Sequence, residues 1–74
     1  MYGIKARANG MEQIRWIDND EKVARLCASL AMQATINQLK KLEGDFDVIE
    51  ETDNIYAVRG NRTGFEFSVE VIKA

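Results

Sequence analysis

The sequence predicts an α+β fold: an antiparallel sheet of about five strands with one long helix packed on one face, in the order β-β-α-β-β-β. Three observations predict it. Only the stretch from Asp18 to Gly44 has helical periodicity, apolar and polar residues alternate on both sides of it, and turn-forming residues separate each alternating run from the next. No linker, internal repeat or low-complexity segment interrupts the chain, so residues 1–74 read as a single α+β domain.

Tyr2 to Ala8 alternates with Tyr2, Ile4 and Ala6 on one face and Gly3, Lys5 and Arg7 on the other. Met11 to Ile17 follows with Ile14 and Trp16 set against Gln13 and Arg15. Asn9-Gly10 between them is a hairpin signal. A two-residue loop would set Ile4 across from Arg15 and Lys5 across from Ile14, dividing the apolar residues between two faces. A three-residue loop, Ala8 to Gly10, pairs Ile4 with Ile14 and Tyr2 with Trp16, and a one-residue slip decides which face every side chain occupies. The apolar pattern therefore favours the longer loop, with Gly10 left-handed in a bulge.

The helix is marked at both ends. Asp18 followed by Glu21 has the spacing of a capping box. Lys40 and Lys41 lie where cations favour the negative end of the helix dipole, and Gly44 is the residue type that ends helices in a left-handed conformation. Lys22, Arg25, Ser29, Gln33, Asn37 and Lys40 make a solvated stripe. Val23, Leu26 and Leu30 form one apolar flank and Met32, Ile36 and Leu39 the other, with small residues between, including Ala24, Cys27, Ala28 and Ala31. This apolar arc is wider than the roughly 100° a helix needs against a single surface.

Phe46 to Glu50, Ile55 to Gly60 and Phe65 to Ile72 complete the strands. Phe46, Val48, Tyr56, Val58, Phe65, Phe67, Val69 and Val71 are expected to point inward. A four-residue loop over 61–64 sets Val58 opposite Phe67 and Tyr56 opposite Val69. The register also places Ile49 across from Ile55, outward. Five strands span about 24 Å at ~4.8 Å spacing, whereas a helix is ~10–12 Å across. One helix leaves part of such a sheet bare, and a second copy would complete the layer.

Composition excludes several chemistries. The chain has no histidine and one cysteine, Cys27, which removes His-based acid–base catalysis, Ser-His-Asp and Cys-His sites, and the usual zinc sites. Cys27 lies on the small-residue stripe and reads as a packed, inert thiol. The glycines form no phosphate-binding loop. The expectation is a non-enzymatic protein without a cofactor or metal. No apolar run approaches the ~18 residues of a membrane span, and the N-terminus lacks the apolar core of a signal peptide, so a cytoplasmic protein without membrane contact is expected.

What remains is binding. A small interaction module of adaptor or inhibitor type is expected, a homodimer that self-associates through Met32, Ile36 and Leu39. The acidic run containing Asp45, Asp47, Glu50 and Glu51 would dock a basic protein partner. The alternative is a nucleic-acid-binding protein using Lys5, Arg7 and Arg15 on the first hairpin with Arg59 and Arg62. A net charge of −2 gives that alternative no global field, and the expected core positions of Tyr2 and Trp16 leave no exposed aromatic face for bases to stack on.

Overall fold

A computed structural model describes residues 1–74. Five strands form one antiparallel sheet: β1 (Tyr2–Ala8), β2 (Met11–Asp18), β3 (Phe46–Glu51), β4 (Ile55–Gly60) and β5 (Glu66–Lys73), with the single helix α1 (Glu21–Glu43) following β2. The α+β order expected from the sequence is the order observed. Across the sheet the strands run β2-β1-β5-β4-β3, so the chain ends in the centre, beside β1, and β2 and β3 are the free margins. No helix is long and apolar enough to cross a membrane.

The β4–β5 hairpin has the expected register, Val58 opposite Phe67 and Tyr56 opposite Val69. The first hairpin does not. Ala8 pairs with Met11, Lys5 with Ile14 and Ile4 with Arg15, which is the two-residue loop. Asn9 has φ 50° and Gly10 φ 86°, the two left-handed residues that the tightest hairpin turn demands and that Asn-Gly supplies with least strain. The loop is also held from outside. The Asn9 amide donates to the Glu66 carbonyl (2.9 Å) and its side-chain oxygen accepts from the Glu66 N–H (3.0 Å). Turn chemistry and this tether override the face pattern, so Ile14 and Trp16 turn away from the helix while Gln13 and Arg15 turn toward it. A register shift between Tyr2 and Gly3 then pairs Tyr2 with Asp18.

That pairing explains a second difference, at the start of the helix. Asp18 is still in the ladder, so the cap passes to Asp20, whose side chain accepts from the Lys22 N–H at 2.9 Å. Glu21, expected to reach back in a capping box, instead receives the Arg25 guanidinium at 2.8 Å. Gly44, at φ 79°, ends the helix as expected. In β3, a bulge between Val48 and Glu50 breaks the ladder, so Ile49 does not face Ile55; Glu50 lies opposite Ala57.

The helix lies across the sheet with Met32 and Leu39 packed on Val58 of β4 and Val69 of β5; Ile4, Ala28, Ile36, Tyr56, Phe65 and Phe67 surround this cluster. Only six apolar residues are buried, Ala24 and Ala57 being the other two. For 74 residues that is a small core, as expected where surface is large relative to volume. Both ends of the helix are tied to loops. Arg25 donates to the Asp53 carbonyl and to Asn54 Oδ1 in the β3–β4 turn. The Glu43 carboxylate accepts from the backbone N–H groups of Arg62 (2.9 Å) and Thr63 (2.8 Å) and from the Thr63 hydroxyl in the β4–β5 loop.

Glu43 yields a pH prediction. The Thr63 hydroxyl, the two backbone N–H groups and the Arg62 charge hold its carboxyl below the ordinary value of 4.5, against a smaller opposing effect of burial. A depressed folded value means stabilisation that is complete above the unfolded value and lost as pH falls through the folded one. Glu43→Gln should therefore lower the thermal midpoint at neutral pH. The gap from wild type should close in acid, and faster amide exchange at Arg62 and Thr63 should report loosening of the same contact. A gap independent of pH would show that the ionised carboxylate is not the source.

Candidate interaction surfaces

The flank expected to carry self-association is part of the core. Met32 is 6% exposed and Leu39 4%, and Ile36 is half-buried against the same cluster. All three face this chain's own strands. Ala24, buried, and Ala28, packed against the cluster, lie on the Met32 side of the helix. The opposite flank is left out. Leu26 and Leu30, one turn apart, are 60% and 62% exposed. Burying such a side chain is worth roughly 1.5–3 kcal/mol, and on this flank that stabilisation is left largely unused. Around them lie exposed Ser29, Gln33, Ala34 and Asn37 and half-buried Val23 and Cys27.

The sheet is bare at its margins, as its width requires. On the helix side of β2, Met11, Gln13 and Arg15 are exposed, and in β3 Val48 is exposed. On the far side, Ile14 and Trp16 are 46% and 47% exposed, and Trp16 lies over Gly3, its partner across the ladder. The longer hairpin loop would have put Trp16 in the core; the two-residue loop puts it on the far face. The only signal for its true face was the Asn-Gly dipeptide.

Asp45, Asp47, Glu50 and Glu51 are exposed along and just before β3. None is ion-paired, but they do not share a face. Asp47 and Glu50 lie opposite Arg59 and Ala57, whereas Glu51 lies opposite Tyr56 on the helix side, and the Asp45 side chain accepts from the Phe46 N–H at 2.8 Å. No group of three or more His, Cys, Asp or Glu converges on a metal position.

The basic set is divided too. Lys5 and Arg7 face away from the helix, but Arg15, opposite Ile4, faces toward it. Arg7 donates to Glu12 at 2.6 Å, which holds the Glu12 carboxyl below its ordinary range. Arg59 Nε donates to Glu66 at 2.9 Å, and Lys5 lies opposite Glu70. Arg62 sits in the β4–β5 loop. The sheet face that the nucleic-acid reading needs is therefore a lattice of alternating charges, in which each of Lys5, Arg7 and Arg59 has a carboxylate on the neighbouring strand. Trp16 does supply an exposed aromatic on that face.

Two depressions flank the helix. One, of about 460 Å³, runs between its first half and β4 and β5, with Met32, Ile36, Tyr56 and Val69 in its floor. The other, of about 810 Å³ and largely apolar, opens beneath the last turns and is lined by Leu39, Leu42, Phe65 and Phe67. Leu42, on the rim, is exposed. Neither depression holds a convergent set of titratable groups. Comparison of the chain with protein-family models, with curated proteins and with solved structures finds no match.

Proposed function

We propose that this chain is a non-catalytic protein-interaction module of adaptor or inhibitor type, whose partner docks on the outward flank of α1 at Leu26 and Leu30. The observation that carries the reading is the division of the helix's apolar residues into two sets. Met32 and Leu39 meet the sheet, whereas Leu26 and Leu30 are left 60% and 62% exposed. Apolar anchors one turn apart on a helix suit a groove in another protein. The unpaired carboxylates of β3 add a rim that favours a partner with basic residues at its edge.

The test is capture of a partner from the source cell, followed by binding of the purified partner to wild type and to the double variant Leu26→Glu, Leu30→Glu. Both positions are exposed, so the variant should keep its thermal midpoint within about 0.5 kcal/mol of wild-type stability. Its affinity should fall by about thirtyfold or more, the effect of removing an interface anchor worth at least about 2 kcal/mol. Unchanged affinity would remove the helix flank from the interface. A captured ligand that proved to be nucleic acid, released steeply as salt rises, would favour the basic-hairpin reading instead.

A further inference from the structure

The two margins of the sheet are built differently. β3 carries the protections expected of a free edge, a bulge after Val48 and the carboxylates of Asp47, Glu50 and Glu51. β2 carries fewer: its bulge falls at Ile17, outside the run from Met11 to Trp16, and within that run the one inward-facing charge is Arg15. That run has no proline, glycine or bulge, and its two charges, Glu12 and Arg15, are of opposite sign. The backbone adds a direction. In a two-residue hairpin loop the flanking residues, here Ala8 and Met11, exchange both hydrogen bonds, and bonded and non-bonded pairs then alternate along the ladder. Glu12, Ile14 and Trp16 therefore aim their N–H and C=O groups away from β1, leaving an unpaired row centred on Ile14.

The geometry points to a second copy of this chain as the occupant of that row: two β2 strands pair antiparallel about a two-fold axis at Ile14, and the sheet continues from one protomer into the other. This inference rests on the reading of the chain as an interaction module, and gives self-association to β2 instead of the helix. The register follows from symmetry. A two-fold axis perpendicular to the sheet keeps each face on its own side, so only residues that share a face can be opposite. Centring on Ile14 bonds all of the outward groups, setting Glu12 opposite Trp16 and Gln13 opposite Arg15. Centring on Arg15 sets two guanidiniums face to face. Centring on Gln13 leaves Trp16 opposite the partner's loop. With Ile14 central, each Trp16 ring lies diagonal to the partner's Ile14, within aromatic reach, and these two exposed apolar residues become one cluster across the seam. β3 is a poor alternative occupant, because its bulge interrupts the ladder and its carboxylates would meet Glu12. A single pair of strands is at the small end of interfaces, so the dimer should be concentration-dependent.

Sedimentation velocity on the full chain tests this. Wild type should move from 8.4 kDa toward twice that mass with rising concentration. Ile14→Lys and Ile14→Glu should each stay monomeric, since each sets like charges together at the axis, and an equimolar mixture of the two should recover the dimer. Circular dichroism should show both variants folded, as expected for an exposed position; if either unfolds, the same measurement is made at Trp16, where Trp16→Glu, set opposite the partner's Glu12, should lose the dimer and Trp16→Lys should retain more of it. Wild type that remains monomeric to about 1 mM, or a dimer that survives both charged variants at Ile14, overturns the inference. The Leu26→Glu, Leu30→Glu variant should still dimerise, so loss of partner binding with the dimer retained separates failure of the helix reading from failure of this one.

Discussion

Met32→Lys should unfold this protein, with loss of the far-UV helical signal at 25 °C. The side chain is 6% exposed and packs on Val58 and Val69. Losing a buried methionine's contacts costs about 2–5 kcal/mol, and a buried ammonium without a carboxylate costs several kcal/mol more. No charged residue of the chain is buried beside it. A chain of this length has roughly 4–11 kcal/mol to lose, at 0.05–0.15 kcal/mol per residue. The sum of the costs is comparable to the whole stability. Leu30→Lys is the control, because it changes the same helix on its wet side and should shift stability by no more than about 0.5 kcal/mol. Ile36→Lys should fall between, since a half-buried lysine can run its stem along the apolar surface and keep its charge in water. Equal midpoints for Met32→Lys and Leu30→Lys would show that the helix is rolled differently from this description.

Gly3→Ala should destabilise the chain by about 1–3 kcal/mol, the usual cost of inserting atoms where none fit. The reason is space. A Cβ at Gly3 would lie 2.6 Å from the Arg15 carbonyl oxygen and 2.8 Å from the Trp16 ring. The ring can swing away, but the carbonyl belongs to the β1–β2 ladder, so β2 must shift. Trp16 fluorescence should move to longer wavelength as the ring leaves β1. In a double-mutant cycle with Trp16→Ala, the coupling should recover only part of the loss, because the backbone contact persists. If Gly3→Ala melts with wild type and its tryptophan emission is unchanged, the close approach of Trp16 to β1 is disproved.

The element order, the single helix and the β4–β5 register were legible because each rests on local pattern. Alternation from Phe65 to Ile72 and from Ile55 to Gly60 is clear, and the loop between them admits one register that keeps Val58 with Phe67. The first hairpin was misread where two local signals conflict. The face pattern of Ile4, Ile14 and Trp16 favours a three-residue loop, whereas Asn9-Gly10 favours two residues, and only the contact of Asn9 with Glu66 makes the second decisive. That contact is fifty-seven residues distant in sequence, beyond any periodicity argument. The roll of the helix was not legible for a related reason. With apolar residues over more than half its circumference, the helix offers the sheet two flanks of similar hydrophobicity, and nothing in spacing alone ranks Met32 and Leu39 above Leu26 and Leu30.

The amino-acid sequence by itself determined what kind of elements form, where they begin and end to within a residue or two, and that one helix is too narrow for its sheet, because propensity, alternation and turn chemistry act over a few neighbouring residues. Tertiary structure alone decided which side of α1 and of β2 is wet. The roll of α1 and the facing of β2 depend on how closely backbones approach across the sheet, at Ala24, Ala28 and Gly3, and on a tether between Asn9 and β5; these are contacts between segments far apart in the chain, so they exist only once the segments have met.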